Sequence, residues 1–175
     1  METLSAKLMQ ECFNALDEYL KSSVTLIVGG GTAMILAHGF PLATADVDGV
    51  AKGISVTELD VLVKKIAIEK NISPDWLNSY FSTFAHVLPE DYGDRLVEVF
   101  REKKLTVKAL SKEEMLIMKC FAHRQKDVAH AKALIKKGAN LTFVEKHIER
   151  LLKEGTPGAQ EALDFLDDCR DQLGV

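Results

Sequence analysis

Apolar residues Leu4, Leu8, Cys12, Leu16 and Leu20 recur at near-helical spacing, which predicts an amphipathic helix over about residues 4–21. Ser22 and Ser23 break that rhythm. The β-branched run Val24-Thr25-Leu26-Ile27-Val28 then ends at a glycine and predicts a short buried strand. Gly29, Gly30 and Gly31 permit a tight turn, and the helix-forming segment from Thr32 is expected to stop at Gly39, with Pro41 as a second stop signal. The order is strand, glycine turn, helix.

A second strand is predicted around Asp46–Ala51, in which Asp46 and Asp48 share one parity and Val47 the other, so both carboxylates fall on one face. Ser55 and Glu58 form a capping-box pattern ahead of Leu59, Leu62, Val63 and Ile66, predicting a helix to about residue 69. Pro74 and Trp76 open a segment predicted as short, helical and otherwise irregular. Leu96–Phe100 and Leu105–Ala109 read as a hairpin across the charged turn Arg101-Glu102-Lys103-Lys104. Ser111 and Glu114 repeat the capping-box pattern, and helices are expected near 112–123, 125–137, 142–153 and 157–172, broken at Gly138 and at Gly155-Thr156-Pro157-Gly158. The expected fold is α+β: a mixed-sheet core over residues 1–110 with flanking helices, and a C-terminal helical module over 111–175.

The composition of the 175 residues, 47% apolar and 27% charged, excludes collagen, coiled-coil rods and disorder. With 22 basic against 26 acidic side chains the net charge is −4, so bulk charge gives no general affinity for nucleic acid and any such partner needs a local basic patch. Compact nucleotides stay open as ligands. Cys12, Cys120 and Cys169 are scattered and lack CxxC spacing, which argues for small buried residues and against a disulfide framework or zinc site. The start has no basic region followed by an apolar stretch, and no run approaches the roughly 18 apolar residues of a membrane span. A cytoplasmic protein with no membrane partner is expected.

Two carboxylates projecting together repel each other unless a positive charge lies between them. A hard divalent cation suits them: Mg²⁺ usually takes one or two protein carboxylates and completes its octahedron with phosphates and water, and Mn²⁺ favours the same ligands. A solvated Asp-x-Asp turn is the bland alternative. Backbone N–H groups of Gly30 and Gly31 at a helix start make an anion site without a cationic side chain, although a glycine turn after a strand also serves simple close packing. Neither a Walker loop nor a dinucleotide fingerprint fits the spacing.

The segment VGGGTAMILAHGFPLATADVDGV, residues 28–50, resembles the signature of the nucleotidyltransferase fold superfamily: a glycine turn followed about a dozen residues later by Asp-x-Asp. Within it the chain is similar to bacterial minimal nucleotidyltransferase-like proteins related to toxin components of abortive-infection systems. Thr44-Ala45-Asp46-Val47-Asp48 and the stretch Lys119–Asp127, with Ala122 and Arg124 between, carry that likeness. The resemblance implies Mg²⁺-dependent transfer of a nucleoside monophosphate from a nucleoside triphosphate to a hydroxyl of RNA, such as a tRNA 3′ end, or of a protein. It also implies an antitoxin-like protein partner.

Under the same resemblance Asp46 and Asp48 hold the metal, while Gly30, Gly31 and Thr32 cradle the phosphates. A third carboxylate is expected on a neighbouring strand, and Glu98, charged among apolar neighbours, is the candidate; its alternative is an outward-facing residue on a half-exposed strand. Lys119 and Arg124 are candidates for phosphate contacts, with Asp127 orienting the arginine, against the alternative of a surface salt bridge and a solvated lysine. Trp76 and Tyr80, four apart, either stack a base or belong to the core. The rival function is a nucleotide- or protein-binding module that keeps the fold with weak or absent catalysis.

Overall fold

The computed structural model describes residues 3–40 and 43–175; Pro41, one of the expected stop signals, lies outside the described residues. Strands β1 (Val24–Val28), β2 (Val47–Lys52), β3 (Leu77–Asn78), β4 (Val97–Arg101) and β5 (Leu105–Ala109) form one sheet in the order β3-β2-β1-β5-β4. The sheet is mixed, with β1 antiparallel to β2 and parallel to β5, while β2 is parallel to β3. The chain is an α+β protein of two compact units. One comprises Met1–Ser82 and Leu96–Leu110, the other Thr83–Arg95 and Ser111–Val175, so the chain enters the second unit twice.

The first unit holds the sheet with helices α1 (Ala6–Tyr19), α2 (Gly30–Leu36) and α3 (Val56–Lys70). Pairing opposite Ala51 on one side and Val107 on the other puts Leu26 on a sheet face whose members Leu26, Val28, Leu105 and Val107 are all buried. Helix α1 lies over this face through Met9, Cys12, Phe13 and Leu16, and the Phe13 ring stands 5.5 Å from that of Phe100. Asp17 ties the helix to the β4–β5 turn by accepting from the N–H groups of Lys104 and Leu105, each at 2.7 Å. The N-cap half of the expected capping box of α3 forms, Ser55 accepting from the Glu58 N–H.

Helix α2 begins at Gly30, so two of the three glycines lie in its first turn and only Gly29 precedes it. Strand β2 begins at Val47, leaving Asp46 in the bend before it. The segment after Pro74 differs from expectation. Trp76 is fully buried in a turn, its Nε1 donating to the Val63 carbonyl at 2.9 Å, and leads into β3, while Tyr80 is 55% exposed at the start of the 3₁₀ stretch Tyr80–Val87. The two rings therefore share no helix face. A core position that satisfies its indole N–H explains Trp76.

The second unit contains α4 (Lys112–Ala122), α5 (Asp127–Lys136), α6 (Leu141–Lys153) and α7 (Ala159–Leu173) around buried Leu116, Leu134, Val144, Ile148 and Leu166. Thr83–Arg95 is fastened to these helices. His147 donates from Nε2 to the Val87 carbonyl at 2.7 Å, and Arg95 reaches buried Glu114 at 2.6 Å while also gripping Asp91. At the start of α4 the Ser111 hydroxyl donates to the Glu114 carboxylate instead of accepting from a backbone N–H, so the second expected capping box is replaced by a side-chain pair. Among the described residues no helix is long and apolar enough to cross a membrane.

Candidate functional site

Strand β1 ends where α2 starts, and β2 runs back beside it, so the glycine turn and both aspartates meet at one end of the sheet. Gly29 donates to the Asp48 carbonyl at 2.8 Å, and the Thr32 hydroxyl, itself buried, lies 3.4 Å from the Asp46 carbonyl. Gly30 adopts φ +54°, a left-handed conformation that glycine reaches without steric cost. Any β-carbon there would stand 3.3 Å from Asp48 Oδ2, and one on Gly31 would stand 2.6 Å from Thr44 Oγ1. Close approach thus favours glycine at both positions, with the backbone packed against Asp48 at Gly30 and against Thr44 at Gly31, where the first-turn N–H groups of the helix have no intrahelical acceptors.

The carboxylates are held from the far side by the segment that follows Trp76. Asn78 stands opposite Asp48 in the β2–β3 register and donates from Nδ2 to Asp46 Oδ2 at 2.7 Å, and the Phe81 N–H donates to Asp48 Oδ1 at 2.6 Å. Beside Asn78, a recess of about 170 Å³ opens between β2 and α3, with apolar walls from Ile54, Leu59, Val63 and Leu77.

The structure brings Gly30, Gly31, Thr32, Asp46 and Asp48 together and does not bring Glu98 to them. Glu98 pairs with Lys108 on edge strand β4, with β5 and β1 between it and β2. Three strand spacings of about 4.8 Å place it roughly 14 Å across the sheet from Asp48. Its carboxylate is exposed and bidentate to Arg101, at 2.9 and 2.5 Å, and those hydrogen bonds hold it below the usual carboxylate range. Arg101, at the end of the same strand, supplies the partner that the apolar neighbours of Glu98 do not. Asn78 is the site residue that sequence reasoning missed; being uncharged, it offers no repulsion or burial argument to single it out.

Lys119 and Arg124 lie in the second unit and converge on Asp127. Lys119 is buried, not solvated, and its Nζ lies 2.7 Å from Asp127 Oδ1. Arg124 donates from Nε to Asp127 Oδ2 at 2.7 Å and from Nη2 to Oδ1 at 3.3 Å. Burial alone would raise the Asp127 carboxyl, but the hydrogen bonds from Arg124 and Lys119 outweigh it and hold the group below its ordinary value. Burial lowers the Lys119 ammonium, a shift that the contact with Asp127 only partly offsets. Among the described residues no group of three or more His, Cys, Asp or Glu gathers to hold a metal.

A family model described as "Nucleotidyltransferase of unknown function (DUF6036)" matches residues 6–153, which include the glycine turn, the aspartate pair and the Lys119–Asp127 stretch. No curated protein and no solved structure matches the chain. The match spans well over half of the sequence, so the chain belongs to this family of nucleotidyltransferases, and a nucleotide is the substrate that membership implies.

Proposed function

We propose that the protein transfers a nucleoside monophosphate from a nucleoside triphosphate to a hydroxyl group of RNA, such as a tRNA 3′ end, or of a protein, with Mg²⁺ as cofactor and Mn²⁺ as a substitute. The observation that carries this reading is the seating of the Gly30 backbone against the Asp48 carboxylate, where a β-carbon would stand 3.3 Å from Oδ2. That arrangement sets N–H donors suited to phosphate beside carboxylates suited to a hard cation. The donor set fits Mg²⁺, which needs only one or two carboxylates when phosphates and water supply the remaining ligands.

Asp46 and Asp48 would hold the metal, and the cation would neutralise charge on the phosphates and on the leaving group. The N–H groups of Gly30 and Gly31 and the Thr32 hydroxyl would orient the β and γ phosphates. In the transfer, the acceptor oxygen bonds to the α-phosphorus as the bond to the α–β bridging oxygen breaks. Pyrophosphate leaves, and the hydroxyl proton passes to solvent. Lys119 and Arg124 are proposed as phosphate contacts, with Asp127 fixing their directions.

A second reading, a nucleotide-binding module of weak or absent turnover, is favoured by the placement of Glu98 on the distant edge strand with Arg101. Calorimetric titration of ATP, CTP, GTP and UTP, with and without Mg²⁺, tests the common ground of both. Magnesium-dependent binding by the wild type and its loss in the Asp46→Ala, Asp48→Ala variant are expected; a folded wild type that binds none of the four sinks both readings. Release of pyrophosphate with RNA or protein acceptors then separates them. The toxin role, which carries with it a neutralising protein partner, requires that expression of the wild type arrest growth and that the double variant not do so.

A further inference from the structure

The segment from Trp76 to Phe81 grips both aspartates by different means. Trp76 and Phe81 are buried, and the Phe81 side chain lies where a β-carbon on Gly29 would meet it at 3.4 Å, so the segment is anchored at both ends. Between these anchors the Trp76 carbonyl accepts from the Val47 N–H at 2.6 Å, locking the segment to the residue between the two aspartates. Phe81 holds Asp48 with its backbone N–H, which no side-chain change alters. Asn78, by contrast, holds Asp46 with its side chain.

The direction of that side chain is determined. The Tyr80 N–H donates to Asn78 Oδ1 at 2.9 Å, so the oxygen of the amide is committed to the backbone and the nitrogen must face Asp46, where it donates to Oδ2 at 2.7 Å. This bond engages one carboxylate oxygen of Asp46, Oδ2, and does not involve Oδ1. An aspartate at the same position would place a third negative charge beside Asp46 and Asp48; the amide adds a donor without adding charge.

We propose that Asn78 is a positioning residue that presents Asp46 to a metal–nucleotide complex, and that its neutrality makes the site depend on the phosphates of the nucleotide for the rest of the metal's ligands. This rests on the reading of Asp46 and Asp48 as metal ligands given above. With two carboxylates and an amide, the protein alone is a weak cation site. A cation held by Asp46 and Asp48 would draw its remaining ligands from the triphosphate and water. Partners of this kind, once removed, typically cost about 10- to 100-fold in metal affinity.

The test compares wild type, Asn78→Ala, Asn78→Asp and Asp46→Asn in three measurements: Mn²⁺ binding without nucleotide, followed by electron paramagnetic resonance; binding of the best-bound of ATP, CTP, GTP and UTP in Mg²⁺ and in chelator; and Tm. Asn78→Ala is expected to weaken nucleotide binding in Mg²⁺ about 10- to 100-fold while leaving binding in chelator and Tm close to wild type. Asn78→Asp is expected to bind Mn²⁺ without nucleotide about 10-fold tighter or more. Equal weakening with and without Mg²⁺ would mark a purely structural role and overturn the proposal, as would no weakening at all. If Asn78→Ala does not fold, the Mn²⁺ affinity of the isosteric Asn78→Asp decides, and no gain over wild type overturns the proposal. Should Asp46→Asn lose Mg²⁺-dependent binding while Asn78→Ala keeps it, only the role of Asn78 falls; should both keep it, the metal-site reading falls as well.

Discussion

Gly30 and Asp48 are in contact across the end of the sheet: the glycine α-carbon turns toward the carboxylate so closely that one added methyl would stand 3.3 Å from both Asp48 Cβ and Oδ2. Gly30→Ala faces two costs, the left-handed φ of +54° and the displacement of that carboxylate. The backbone term alone is about 1–2 kcal/mol. We expect a lower Tm and a larger proportional loss of Mg²⁺-dependent nucleotide binding, both read on the purified variant.

At Gly31 the obstacle is different, because there the space alone is at issue and no left-handed φ adds to it. A β-carbon there would lie 2.6 Å from Thr44 Oγ1 and 2.9 Å from Thr44 Cβ. Gly31→Ala should therefore destabilise the protein, and the double variant Gly31→Ala, Thr44→Gly should recover most of the lost Tm. Failure to recover would mean that the glycine serves the backbone and not the space.

Asp127 is fully buried between Lys119 and Arg124, so removing it strands a buried ammonium. Asp127→Ala is expected to cost about 3–5 kcal/mol in chemical denaturation, and pairing it with Lys119→Met should return part of that. The pH dependence has a definite sign. The folded Asp127 carboxyl lies below its ordinary value, so its contribution is complete above an ordinary carboxylate pKa of about 4 and is lost as pH falls through the lower folded value. Lys119, lowered in the fold, favours stability as pH rises from its folded value toward its ordinary one. Acid titration of stability should be steeper for wild type than for Asp127→Asn.

Glu98 provides the reverse control. Exposed and paired with Arg101 on the edge strand, it should be replaceable by glutamine without change in Mg²⁺-dependent nucleotide binding or in transfer to an acceptor. A Glu98→Gln variant that binds nucleotide normally but no longer transfers it would restore the glutamate to the site.

The thiols supply a test of packing. Cys12, Cys120 and Cys169 are all buried, and burial pushes each thiol up, Cys12 to about 11. Thiolate is the reactive form. A disulfide reagent at neutral pH should label none of the three quickly in the folded protein and all of them in denaturant.

Much of the first unit is legible from sequence because its signals are local. The β-branched run of β1, the Asp-x-Asp at the start of β2 and the serine N-cap of α3 are each written within a few residues, and the structure places these elements within a residue or two of their expected bounds. What escaped depends on distant partners. Strand β3 has two residues, too few for any alternation to register, and exists because Val47 and Asp48 pair with Leu77 and Asn78. Glu98 looked costly on an apolar strand until Arg101, three residues away, is seen folded back onto it. The chain's detour through Thr83–Arg95 into the second unit is fixed by contacts such as His147 with Val87, separated by 60 residues, and no periodicity announces such a pair.

The central place of β1 has a consequence for synthesis. Its parallel partner begins at Leu105, 81 positions after Val24 by subtraction of the paired residue numbers. At about 5–20 residues per second, a ribosome needs roughly 4–16 s to make that stretch. Once β2 has been made and until Leu105 follows, β1 has β2 on one flank and an uncovered row of backbone donors and acceptors on the other, beside Leu26, Ile27 and Val28. A strand in that condition invites pairing with other nascent chains. The strand that leads into the site is therefore made well before its parallel partner, and chains that terminate between β2 and residue 105 are the ones expected to aggregate.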